Sequence, residues 1–193
     1  MAYSAKNYSH LLGLAGFSDT LLTNHFTLYE GYVKNTNALS DKLKALAEKG
    51  EFSTPDFAEF KRRFGWEWNG MRMHELYFGN MAKEAAPLAD GTLKEKLVTA
   101  YGSLENWEKN FVATGAMRGI GWVVLAHDAE TGKLYNVWVN EHDLGHLVGT
   151  KPLLVMDVFE HAFMIDYGLR RADYIAAFMK AIDWKVAEER LAA

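Results

Sequence analysis

GWVVLAHDAETGKLYNVWVN, residues 121–140, interrupts what is otherwise a helical reading of this chain. Two segments rich in Val, Trp and Tyr flank the connection AETG. β-Branched and aromatic side chains suit a pleated, half-buried surface, and a short connection containing Gly closes a hairpin. The run LLVM at 153–156 is short, apolar and follows Pro152, so it reads as a third, buried strand.

Helical patterns lie on both sides of these strands. Ser18 is placed to cap a helix running through DTLLTNHFTLYEGYVKNTNALSDKLKALAEKG, with Gly50 as its stop and Gly31 as a candidate kink. Pro55 opens a second stretch, PDFAEFKRRFGW, and a third is expected over 68–83. AAPLADG at 85–91 reads as a linker. Residues 92–100 and 104–116 are expected to be helical, and so is the tail 158–191. The fold class is therefore α+β: an N-terminal helical hairpin, then a three-stranded antiparallel sheet flanked by helices. The expected division is a helical-hairpin domain over 1–86 and a C-terminal α/β domain over 87–193.

Composition narrows the function. With 193 residues, 49% apolar and 13% aromatic, the chain can bury a real core and is not a disordered segment. A net charge of −4 argues against nucleic acid or an anionic membrane as the main partner. There is no cysteine, which excludes disulfides, thiolate zinc sites, iron–sulfur clusters and thiol nucleophiles. Any metal must be held by nitrogen and oxygen. No apolar run is long enough for a membrane span or a secretion signal, so a cytoplasmic enzyme is expected.

Chemistry-bearing residues gather after the third strand. DVFEHAFMIDYG at 157–168 sets Asp157 and His161 four residues apart, one turn of a helix, so both can address one atom. The alternative is that Asp157 only caps the next helix. His25 in LLTNHFTLY and His74 in GMRMHELYF sit in aromatic, half-buried stretches, where a neutral imidazole needs a partner for its ring nitrogen. Together the four residues form a candidate metal site. His127 and His146 read as surface residues.

At these residues the sequence resembles the iron/manganese superoxide dismutases. DVFEHAFMIDYGLRRADYIAAFMKAIDW is similar to the family's D-x-W-E-H-A-Y signature and the helix after it. GIGWVVL at 119–125 is similar to its G-x-G-W strand. WNGMRMHELYF at 68–78 is similar to the segment carrying the second histidine ligand. FSDTLLTNHF and YVKNTN are similar to the first ligand helix. The resemblance implies a metal held by His25, His74, Asp157 and His161. Three imidazoles and a carboxylate suit iron or manganese; zinc binds such sets but does not change oxidation state. The four side chains carry one negative charge between them, so a trivalent ion would leave the site positive, which favours an incoming anion.

The implied activity is dismutation of superoxide to oxygen and hydrogen peroxide, with one iron or manganese ion per subunit. Tyr32 is implied as gateway residue and proton relay, with Trp122, Tyr77 and Phe78 as an apolar wall. The family places a Gln near the metal-bound solvent from one of two positions, which here are Gly70 and His142. His142 is expected to donate to that solvent, with Glu141 as the fallback if the loop is shifted by one. The missing loop Gln gives iron a slight preference. Glu160 is implied to reach His161 of a second copy, giving a homodimer.

Several positions depart from the family pattern. The interval from His25 to Tyr32 is one residue shorter than usual, which would remove a bulge from the first helix; Ser18, seven residues before His25, sets the register against Asn24. Phe159 replaces a Trp. A His–Tyr pair usual at the dimer interface is absent on both sides, with Phe163 at the Tyr position. The short interval and His142 in place of the loop Gln support the alternative reading, a metal-binding structural homologue that has lost dismutase activity; the paired loss of His and Tyr orphans no buried polar group and reads as tolerated.

Overall fold

The computed structural model describes residues 2–193. Two long helices come first: α1 at Asp19–Glu48 and α2 at Pro55–Phe78. Ser18 Oγ accepts from the Leu21 N–H at 3.1 Å and so caps α1. Thr54 caps α2 in the same way, accepting from Phe57 N–H at 3.2 Å, with Pro55 at the first helical position, where its missing N–H costs nothing. α1 runs unbroken across Gly31, so the expected kink is absent and no bulge separates His25 from Tyr32.

α2 corrects the sequence reading, which divided it near residue 67 and carried it to 83. A lone Gly costs a helix only about 1 kcal/mol relative to Ala, and Gly65 does not break one that packs along α1. The helix stops at Phe78 for a long-range reason. The buried Asn80 amide donates to Val155 O at 3.1 Å and accepts from Val155 N–H at 2.8 Å, so the chain turns to meet the sheet.

Helices α3 (Thr92–Tyr101) and α4 (Leu104–Gly115) lead into the sheet. Its strands are β1 (Gly121–Asp128), β2 (Leu134–Asn140) and β3 (Thr150–Asp157), ordered β2-β1-β3 and antiparallel throughout. β3 is longer than the LLVM run alone. It accommodates Pro152 because it is an edge strand, beside a register shift at Leu125/Ala126 in β1. Trp122 lies opposite Asp157, which brings the strand tryptophan beside the end of β3.

The tail is not one helix. After Asp157 come a 3-10 turn at Glu160–Ala162, a short α5 at Met164–Tyr167, α6 at Arg171–Ala181 and α7 at Trp184–Ala192. Asp157 and His161 therefore meet across a strand end and a tight turn, not along a helical face. The local cause is Asp157 Oδ1, which accepts from Phe159 N–H at 2.8 Å and satisfies the turn itself. Gly168, at φ +54°, ends α5. Among the described residues no helix is long and apolar enough to cross a membrane.

Candidate metal centre

Four elements converge on one point. His25 comes from α1, His74 from α2, Asp157 from the end of β3 and His161 from the 3-10 turn. One ligand atom from each lies within 4.8 Å of all the others. Asp157 Oδ2 is the hub: His161 Nε2 stands 3.1 Å away, His25 Nε2 3.2 Å and His74 Nε2 3.7 Å. His25, His74 and Asp157 are fully buried, while the His161 side chain is 28% exposed and forms the open side. Asp157 does not cap the next helical turn, whose N-cap is Phe159; its Oδ1 accepts from Phe159 N–H in the connection before it and its Oδ2 faces the cluster.

The protonation pattern of His74 is set by its neighbour. Its Nδ1 lies 2.6 Å from Gly70 O, which can only accept, so Nδ1 carries the proton. Burial holds this imidazole well below its ordinary pKa, with repulsion from His25 adding to the effect. The ring is neutral, and its bare Nε2 lone pair faces the Asp157 carboxylate. Burial also lowers the pKa of His25. Burial would raise the Asp157 carboxyl, but the imidazoles of His161 and His25 more than offset it, and the group stays ionised. Two acceptors thus face each other in a buried cluster, and both ring nitrogens of His25 and Nε2 of His74 are buried without hydrogen-bond partners. A cation between them removes that conflict, and the nitrogen and oxygen donors fit iron or manganese.

Next to the cluster is a hydrogen-bonded arm. His25 and Tyr32, seven residues apart on the continuous α1, share one face of the helix. The Tyr32 ring stacks on His74 with centroids 5.1 Å apart. Its hydroxyl lies 2.8 Å from Nε2 of the fully buried His142. Trp122 Nε1–H, which can only donate, is 3.0 Å from His142 Nδ1. Nδ1 is therefore the acceptor, and the one N–H of this ring sits at Nε2. Burial lowers the His142 pKa to about 4, so the ring is neutral. Its proton is directed at Tyr32 Oη. Burial raises the Tyr32 pKa, so the phenol keeps its proton and has it free to donate elsewhere.

The structure also separates the two Gln positions. A Cβ at Gly70 would lie 2.6 Å from Tyr32 Cδ1, so a longer side chain there must displace the tyrosine. Glu141, the fallback for His142, points away and accepts from Trp66 Nε1–H at 3.1 Å. It is the one residue other than Gly with positive φ among the described residues, at +50°, and this turn aims His142 inward. His146, read as a surface residue, donates from Nε2 to His142 O at 2.9 Å and steadies the same loop. Trp66 was missed from the sequence. Its ring is 4.4 Å from His142 and 5.7 Å from Tyr32, and Arg63 covers it at 3.9 Å. Nothing local marks it, because α1, α2 and the β2–β3 loop meet there only in three dimensions.

Phe159 stacks between His142, at 4.8 Å, and His161, at 5.0 Å. Tyr77 and Phe78 wall His25 at 5.4 and 4.9 Å. Glu160 is exposed in the single chain.

Comparison with known proteins identifies the family. A family model described as iron/manganese superoxide dismutases, C-terminal domain, matches residues 89–190. A manganese superoxide dismutase of Haloferax volcanii is 36% identical over 86% of this chain and 83% of its own length. An iron superoxide dismutase of Cupriavidus metallidurans is 36% identical over 93% and 91%. Another iron enzyme, from Aquifex aeolicus, is 33% identical over 96% and 89%. With this breadth of identity to enzymes named for either metal, the chain belongs to the iron/manganese superoxide dismutase family.

Proposed function

We propose that this protein is a superoxide dismutase in which His25, His74, Asp157 and His161 hold one iron or manganese ion per chain. The observation that carries the reading is the convergence of four donor atoms within 4.8 Å, with a bare His74 nitrogen facing a carboxylate. A bound iron or manganese ion supplies the one-electron chemistry, alternating oxidation state so that one superoxide becomes oxygen and a second, with two protons, becomes hydrogen peroxide.

The surrounding residues do the rest. Tyr77, Phe78, Trp122 and Phe159 keep water from the donors. His161, on the open side, faces arriving substrate. Tyr32 Oη holds a proton that it can hand to reduced substrate. His142 orients that hydroxyl by donating to its oxygen. It is not itself a relay, because Trp122 blocks its far nitrogen. The proton given up by Tyr32 therefore returns from solvent, which reaches the 8% of the tyrosine that is exposed.

The alternative of an inactive homologue loses its support: the short interval between His25 and Tyr32 still leaves both on one face of an unbroken helix. Iron keeps a slight preference because Gly70 and His142 replace both Gln positions; the relatives' names are divided between the metals. A homodimer through the Glu160–His161 segment belongs to the same proposal. It is supported by an exposed Glu160 beside a part-exposed ligand and by Met164 and Ile165, exposed at 42% and 51%. So does the boundary near residue 86, supported by the start of the C-terminal match at 89. A cytoplasmic location is also part of this reading, and cell fractionation tests it. For the activity, the test is metal loading of purified protein. Iron- or manganese-loaded protein should dismute superoxide, and zinc-loaded protein should not. Full activity with zinc would remove the electron-shuttle mechanism.

A further inference from the structure

On the other side of α2 from the ligand cluster lies a cavity of about 630 Å³. Its charged groups are Lys6, Arg72, Glu75 and Arg190, and Tyr8 and Trp68 form its aromatic wall. The one carboxylate is already committed. Glu75 Oε2 is 3.0 Å from Lys6 Nζ and 2.7 Å from Arg72 Nη1, and Oε1 accepts from the Tyr29 hydroxyl at 3.1 Å. Among the described residues Arg190 pairs with no carboxylate. Its guanidinium donates only to neutral oxygens: Leu153 O at 2.8 Å, Leu76 O at 2.9 Å and Asn80 Oδ1 at 3.2 Å.

Three cations thus share one carboxylate, an excess of two positive charges in a chain whose net charge is −4. A half-buried guanidinium without a counter-ion is costly, and burial lowers the pKa of Arg190 to about 10. The donors are not exhausted. Lys6 brings three N–H groups and each Arg five, more than the acceptors named above can take. Three cations, one flexible and two forked, around an open space suit a tetrahedral dianion, and the volume leaves room for an attached group against the rings.

We propose that this cavity binds phosphate monoesters, with the phosphate between Lys6, Arg72 and Arg190 and the attached group against Tyr8 and Trp68. The site is separate from the metal cluster, although it lies one residue away along α2, from Glu75 to His74.

Calorimetry on the metal-loaded protein, in phosphate-free buffer at physiological salt, tests the proposal. The probes are 5′-AMP, inorganic phosphate and adenosine. AMP should bind saturably and more tightly than inorganic phosphate, and adenosine should not bind measurably. Lys6→Met and Arg72→Gln should each weaken AMP about tenfold or more. Both side chains are at least a third exposed, so these variants should fold even if Arg190→Gln does not. Adenosine binding as tightly as AMP would overturn the proposal in favour of an apolar groove. AMP binding that is unchanged in both variants would place the anion elsewhere, including at the metal, and would equally overturn it.

Discussion

His74 and Glu75 are adjacent on α2 yet face opposite electrostatic problems. His74 turns into a buried cluster where its bare imidazole nitrogen faces a carboxylate, beside two further imidazoles of which His161 stands at hydrogen-bond distance from that carboxylate. Glu75 turns into an open cavity where donors outnumber acceptors. Neither side is balanced within the chain. The first lacks a cation and the second lacks an anion. The difference shows that a buried group with no partner in its own chain is best read by its sign, because the sign names the chemistry that completes it.

The largest way to break this comparison is to remove the hub. Asp157→Ala should reduce metal content to near background and abolish activity, as measured by elemental analysis and a superoxide assay. Full metal content in this variant would show that the cluster is not the site. The metal-free protein offers a second test through pH. The native pKa of His142 is about 4, against an ordinary value near 6.5, and His25 and His74 are lowered as well. The unfolded chain then binds more protons than the native one across that window. Stability should be intact above about pH 6.5 and should fall as pH drops towards 4. Denaturation midpoints that stay flat across this range would contradict burial of neutral imidazoles.

Smaller effects sharpen the comparison. Trp122→Phe leaves His142 Nδ1 buried without its donor, at a cost of about 1–3 kcal/mol. It also frees the ring to change tautomer, so the pH profile of activity should shift while metal content holds. An unchanged pH profile would mean that the tryptophan does not set the tautomer. Gly70→Ala pushes on the Tyr32 ring and should lower turnover several-fold with metal retained; wild-type turnover would show that Tyr32 can yield without loss. Glu160→Ala should change single-chain stability by less than about 0.5 kcal/mol, since the side chain is exposed. Its effect should appear instead as weaker self-association in sedimentation. A variant that associates as the parent does would remove Glu160 from the interface.

Local signals carried much of the fold. Ser18 and Pro55 mark helix starts because capping and a fixed φ act within a few residues. The hairpin at 121–140 was legible from its composition and its Gly connection. Helix ends and breaks were not: α2 stops where Asn80 meets Val155, a contact 75 residues away in sequence. The tail breaks at a left-handed Gly168 that reads, in sequence, like any glycine inside a helix.

The site divides along the same line. The resemblance to the iron/manganese superoxide dismutases implied roles for His25, His74, Asp157, His161, Tyr32 and His142, and the structure brings these six residues together. The resemblance was not enough to say which hydrogen bond each makes. The N–H of His142 is directed at Tyr32 because Trp122 occupies its other nitrogen, and both contacts join parts of the chain far apart in sequence. Trp66 and the cationic cavity left no local trace at all. Each depends on groups brought together from distant parts of the chain, and a hydrogen bond or a charge excess exists only once those groups share a place.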